Sequence, residues 1–175
     1  MSIIKVISEE QNSILTLEEI KNFLRIDFNN DDALLQKALN TATRQCELKI
    51  GQTLNQKTYL MSIYNSLSSN MIRLKYGPIL SVEKIECVDE HENVSLILTD
   101  SYKTILDVGV VKFLNIPLNF YRLDIIYKAG YINVPDDLKQ GLLFHIAKIY
   151  EDKTGFYPVP KASNSIYKNY QKIKF

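Results

Sequence analysis

The sequence predicts an α+β fold: an N-terminal helical hairpin and a C-terminal helix packed together, with an antiparallel β-rich insertion between them and an extended C-terminal tail. Three observations predict it. Apolar residues recur at three- and four-residue steps before residue 51 and again after residue 135, as one face of a helix requires. Between these stretches, short runs rich in Ile, Val, Leu and Tyr are broken by turn residues. From residue 156 onward the composition changes, with prolines that interrupt helix and no acidic side chain. Residues 1–155 are thus expected to form one domain, with helices at about 17–25, 32–50 and 135–153 and β structure at about 57–129, and residues 156–175 a docking tail.

The first helix is signalled by Thr16-Leu17-Glu18-Glu19, a capping box in which the Thr16 hydroxyl takes the amide hydrogen of Glu19 and the Glu19 carboxylate reaches back to the amide of Thr16. Leu15 and Ile20 flank it as a hydrophobic staple. The helix gives way to Asp27-Phe28-Asn29-Asn30-Asp31-Asp32, whose short polar side chains favour a turn and then a helix start, with Asp31 and Asp32 at the positive end of the next helix. In that second helix Leu35, Ala38, Leu39, Ala42, Cys46 and Ile50 form one apolar face, and Gly51 is a natural stop. Strands are expected at Lys57 to Tyr64, Met71 to Tyr76, Val82 to Val88, Val94 to Leu98, Ser101 to Leu106, Val110 to Leu114 and Arg122 to Ala129. The last helix opens at Pro135, with Asp136 and Asp137 in its first turn and Gly155 past its end. Leu138, Leu142, Ile146, Ile149 and Tyr150 line its core face, while Phe144 falls on the opposite, polar face as a candidate contact for another chain.

Length and a hydrophobic content of 46% allow a proper core without disulfide or metal staples. A net charge of +1 creates no whole-protein field toward nucleic acid or a membrane, so any charged partner must meet a local patch. Cys46 and Cys87 have no metal-ligand spacing and read as buried thiols in a reducing compartment. The first 21 residues lack the basic start and apolar run of a signal peptide, and no stretch reaches the ~18 apolar residues of a membrane span.

No catalytic or cofactor motif appears, and the sequence predicts no enzyme, no metal and no cofactor. The two histidines, His91 and His145, stand in no catalytic spacing. His91 lies in Asp89-Glu90-His91-Glu92-Asn93, where turn chemistry accounts for every residue and a solvated hairpin turn is expected. His145 borders the apolar face of the last helix, where a partly buried imidazole with satisfied hydrogen bonds is expected. The six glycines stand singly and form no phosphate-binding loop. The tail interleaves Lys161, Lys168, Lys172 and Lys174 with Ile166, Tyr167, Tyr170, Ile173 and Phe175. Such a segment cannot fold alone, yet carries too many large apolar groups for an inert linker. Its lysines and tyrosines also suit phosphates and bases, so a small DNA-binding protein working through this tail is the alternative reading.

Taken in order, these pieces resemble a known family. Leu17 to Asp27, Asp31-Asp32-Ala33-Leu34-Leu35, Gly77-Pro78-Ile79, the segment Tyr127-Lys128-Ala129-Gly130-Tyr131, Val134-Pro135-Asp136-Asp137-Leu138-Lys139 and Tyr150-Glu151-Asp152 match the succession of motifs in bacteriophage head–tail connector proteins. These are also called adaptor or head-completion proteins, and include those of prophages and gene transfer agents. Lys153 stands where that family often has Arg, and the tail from Pro158 matches no motif. The resemblance implies a structural virion protein that forms a ring, commonly of about twelve copies, at the portal vertex. It joins the DNA-filled head to the tail and extends the DNA channel. Its implied partners are the portal protein, a tail or stopper protein, further copies of itself and the DNA passing through, with no membrane. Its implied locations are the bacterial cytoplasm during assembly and then the head–tail junction of the virion. On that reading the inter-subunit seam is expected at Arg44, Glu47, Phe144 and Lys148, and portal docking at Tyr167, Tyr170, Ile173, Phe175, Lys168 and Lys172.

Overall fold

A computed structural model describes residues 2–10, 13–64, 69–115, 120–152 and 158–171. Its elements run β1 (Ser2–Glu9), α1 (Leu17–Leu24), α2 (Asp32–Ile50), β2 (Lys57–Tyr64), β3 (Met71–Arg73), β4 (Ile79–Val88), β5 (Val94–Leu96), β6 (Tyr102–Ile105), β7 (Val110–Phe113), β8 (Arg122–Ala129), α3 (Asp136–Glu151) and α4 (Lys161–Asn169), with a 3-10 turn at Thr99–Ser101. The architecture is α+β, and every strand pair among the described residues is antiparallel. The chain divides into two compact units, a β unit, Met1–Gln11 with Asn55–Tyr131, and a helical unit, Asn12–Leu54 with Ile132–Phe175.

In the helical unit the capping box forms as expected: the Glu19 amide donates to Thr16 Oγ1 at 3.1 Å and the Thr16 amide to Glu19 Oε2 at 2.6 Å. Leu15 and Ile20, the staple pair, are both buried. The six apolar residues expected on one face of α2 are all buried, and α2 ends at Gly51 with φ +68°. Asp31 sits at the N-terminal boundary of α2 but makes no side-chain cap there. Its Oδ2 accepts a hydrogen bond from the Tyr150 hydroxyl at 2.5 Å, tying the α1–α2 loop to α3. Lys21 secures the same loop through Asn29 Oδ1 at 2.6 Å and Asp32 at 2.5 Å.

The β unit holds two sheets, one of five strands in the order β1-β2-β8-β4-β5 and one of three in the order β3-β7-β6. They share one apolar core, built from Tyr59, Met61, Ile85, Leu123, Ile125 and Tyr127 of the larger sheet and Ile72, Val111 and Phe113 of the smaller. The bounds of β2 and β8 are those expected, and they pair without a break from Lys57 opposite Ala129 to Tyr64 opposite Arg122. The structure adds β1, which the sequence reading left unassigned. It pairs with β2 from Ser2 opposite Ile63 to Glu9 opposite Lys57. Its end is fastened by the Glu10 amide to Gln56 O at 2.9 Å and by ion pairs Lys57–Glu9 and Lys128–Glu10. The Asp89–Asn93 segment forms the expected hairpin turn, with Asp89 Oδ1 accepting from the amides of His91 and Asn93 at 2.8 and 2.9 Å.

Candidate interface surfaces and the family they belong to

The motif residues of the β unit are structural. Tyr127 is fully buried, stacks on Tyr59 at 5.5 Å and donates to the backbone oxygen of Lys75 at 3.0 Å. Burial of the phenol in the apolar core raises its pKa above the ordinary tyrosine value. Gly130 follows at φ +128°, where a Cβ would lie 2.2 Å from the backbone oxygen of Asn55. Only glycine fits so close an approach of two backbone segments. On the sheet's other face Asp124 is buried, accepting from Ser62 Oγ at 2.6 Å and pairing with Arg122 Nε at 2.9 Å, so its charge is matched where water is scarce.

The segment expected as an extended docking tail contains α4, which packs on α3 and α2 in the helical unit. Pro160, with φ −58°, sits just before the first helical residue, where a proline starts a helix instead of interrupting it. Tyr167 is fully buried and is not an open docking residue: its ring lies over Gly141 of α3, where a Cβ would come within 2.9 Å of it. Around it lie Cys46 and His145, both buried. Burial pushes the Cys46 thiol up to about 12, a hydrogen bond with Tyr167 opposing it only in part. Burial also lowers His145 to about 4. The imidazole is less satisfied than expected: Nδ1 lies 3.4 Å from the Tyr167 hydroxyl, and Nε2 has no partner among the described residues.

Tyr170 is half-buried. Its hydroxyl donates to Asp137 Oδ1 at 2.5 Å and its carbonyl accepts from Gln52 Nε2 at 2.6 Å, so it too serves to hold α4 in place. Lys168 is exposed. Lys172, Ile173 and Phe175 lie outside the described residues.

The four residues expected at the seam fall on two helices, Arg44 and Glu47 on α2 and Phe144 and Lys148 on α3. Arg44 and Lys148 are exposed, and Lys148 lies 3.8 Å from Asp152. Glu47 is committed within its own chain, its Oε1 accepting from Thr53 Oγ1 at 2.9 Å and from the Leu54 amide at 2.8 Å. Phe144 remains partly exposed but is covered on one side by Phe23 of α1, edge to face at 5.9 Å. The periodicity of α3 alone could not show this partner, because it comes from another helix.

Exposed apolar side chains that sequence reasoning passed over lie on the rims of the larger sheet. Ile3, Val6 and Ile7 on β1 are 38%, 52% and 54% exposed, and Val94 and Leu96 on β5 are 59% and 61% exposed. Among the described residues no strand pairs with the outer edge of either. No helix of the described residues is long and apolar enough to cross a membrane.

The family model for head completion proteins matches residues 13–154, most of both units. The chain belongs to the head completion protein family. Its role is that of a structural protein of the head–tail connection in the virion. In fold, this head completion protein is similar to chains in three solved particles. The first is the neck of an empty GTA particle computed with C6 symmetry, at 17% identity and a TM-score of 0.85. The second is the virion of a native gene transfer agent (GTA) particle, at 18% and 0.84, and the third the neck of a native GTA particle computed with C12 symmetry, at 17% and 0.81. Each likeness covers 99% of this chain and 97% of the other. Among curated proteins no sequence matches the chain. Four of the motif residues that carried the resemblance, Tyr127, Gly130, Asp31 and Tyr150, are found here in cores and loop ties.

Proposed function

We propose that this head completion protein assembles as a ring of about twelve copies on the portal protein. The ring joins the filled head to the tail and lengthens the channel through which DNA passes. The observation that carries the reading is the match of both units, over 99% of the chain, to proteins of necks computed with six- and twelve-fold symmetry. Cyclic symmetry of that kind needs two different surfaces on each copy, and this chain has distinct apolar rims at the two ends of its larger sheet. Assembly takes place in the bacterial cytoplasm, with the portal on one side of the ring and a tail or stopper protein on the other.

For portal docking the proposal now rests on Lys168 and the residues after Gln171, since Tyr167 and Tyr170 are engaged by α3 and α2. The same engagement weakens the DNA-binding alternative, because tyrosines held inside a helical packing cannot stack on bases.

The test is co-sedimentation with the portal protein of the same genome, comparing the full chain with one ended after Gln171. Cutting earlier, at Gly155, would remove Tyr167 from the core and confuse docking with folding. Retention of the full chain alone supports the proposal and the docking segment together. Retention of both forms keeps the connector role and moves docking elsewhere, and failure of both overturns the role.

A further inference from the structure

We infer that the seam between neighbouring copies is the junction of two sheet rims, the β5 edge of one copy against the β1 edge of the next, with Leu96 facing Ile3. This rests on the ring proposed above and names its interface. Among the described residues the larger sheet pairs every inner strand on both sides and is open at both ends. An exposed strand edge flanked by apolar side chains is a template for another strand, and folded proteins cover or charge such edges when they are not meant to be joined. Here neither protection is complete. Val6 and Ile7 of β1 and all three residues of β5 stand exposed.

The register specifies the match. Ile3 lies opposite Ser62, Ser62 opposite Asp124, Asp124 opposite Glu86, and Glu86 opposite Leu96. One row therefore crosses the whole sheet on a single face, starting and ending apolar, with hydrogen-bonded polar groups between. A head-to-tail repeat of the sheet sets Leu96 of one copy beside Ile3 of the next, across about 5 Å of strand spacing. The lengths agree as well. A bulge leaves Ile7 unpaired and breaks the regular ladder of β1 after Val6, so the even stretch is Ser2 to Val6, which suits the short β5. A second copy is the occupant favoured over a foreign strand because both halves of the contact are present on this chain, at opposite ends of one sheet. That is the condition for a heterologous, head-to-tail contact, the kind from which rings are built.

Disulfide trapping in rings assembled on the portal protein of the same genome tests this, with Cys87→Ser as background. Ile3→Cys combined with Leu96→Cys is expected to give a ladder of linked species on a non-reducing gel, and each single variant to give monomer. Rings that form normally but yield no ladder overturn the inference and leave the connector role intact. Dimers from Ile3→Cys alone overturn it in favour of two-fold pairing of β1. Absence of rings with the unmodified chain overturns the connector role itself. As a second measurement, Val6→Lys with Leu96→Lys, both at exposed positions, is expected to leave the thermal unfolding of the free chain unchanged while cutting ring occupancy at least tenfold. Wild-type occupancy of that variant overturns the inference.

Discussion

In the helical unit the last helix turns its aromatic residue inward, Tyr167 resting over Gly141, whereas in the β unit the first strand leaves Val6 and Ile7 more than half exposed. The two regions come from one chain of mixed composition, yet they dispose of their ends differently. The helical unit fastens loops and termini by long-range bonds, Tyr150 to Asp31, Tyr170 to Asp137 and Gln52 to the Tyr170 carbonyl. The β unit has an equally buried core but keeps most of the exposed large apolar side chains of the described residues. In the proposed ring, burial in one unit and exposure in the other would separate two demands on each copy, a firm body and sticky rims.

The comparison can be broken most severely at the core of the β unit. Gly130→Ala would press a Cβ against the backbone of Asn55, which has no flexible end to move aside, at a φ that side chains avoid. A loss above about 4 kcal/mol in urea unfolding is expected, enough to leave the β unit unfolded. Near-normal stability would mean that the two backbone segments are not so close. In the helical unit, Tyr167→Ala is expected to cost about 3–5 kcal/mol by opening a cavity among α2, α3 and α4. Hydrogen exchange should then lose its protection in α4. If stability stays unchanged, α4 is an appendage and the contrast between the units disappears.

A smaller effect follows from His145. Its pKa in the folded chain is about 4, below the 6.5 of an unperturbed imidazole, so between those values the unfolded chain binds more protons than the folded one. At pH 7 the ring is neutral in both states and no proton linkage acts, and stability should fall as pH drops from about 6.5 to about 4, by about 3 kcal/mol in all. Comparing chemical unfolding of the wild type and His145→Gln across that window checks it, since the variant should lose this part of the pH dependence. The least effect is expected of Thr16→Ala, which removes one side of the capping box and should cost about 1 kcal/mol, read as a small drop in unfolding midpoint.

What the sequence made legible was local. The capping box, the apolar steps of α2 and the limits of β2 and β8 depend on neighbours within a few residues, and all appear where expected. β1, Ser-Ile-Ile-Lys-Val-Ile-Ser-Glu, lacks the strict polar–apolar alternation of a half-buried strand; its partner lies some fifty residues away, and an edge strand with little buried surface leaves a weak pattern. α4 was hidden by Pro158 and Pro160, which were read as helix breakers. The clue lay elsewhere, in Gly141: a glycine inside a helix costs about 1 kcal/mol relative to alanine and so calls for a neighbour that needs the space. The seam proposed above was the least legible. Exposed charges on α2 and α3 look alike from sequence, and only the folded chain shows that Glu47 is spent on its own loop while the sheet rims stand open.

Strands in the larger sheet alternate in direction, and five is an odd number, so β1 and β5 run the same way. Two copies related by rotation and joined rim to rim would thus meet in parallel, whereas every pairing among the described residues of a copy is antiparallel. Parallel pairs are slightly weaker per residue. A ring so built carries its fault lines between subunits, one per copy and evenly spaced, and under the pressure of a packed DNA column it would part along them while each subunit stayed folded.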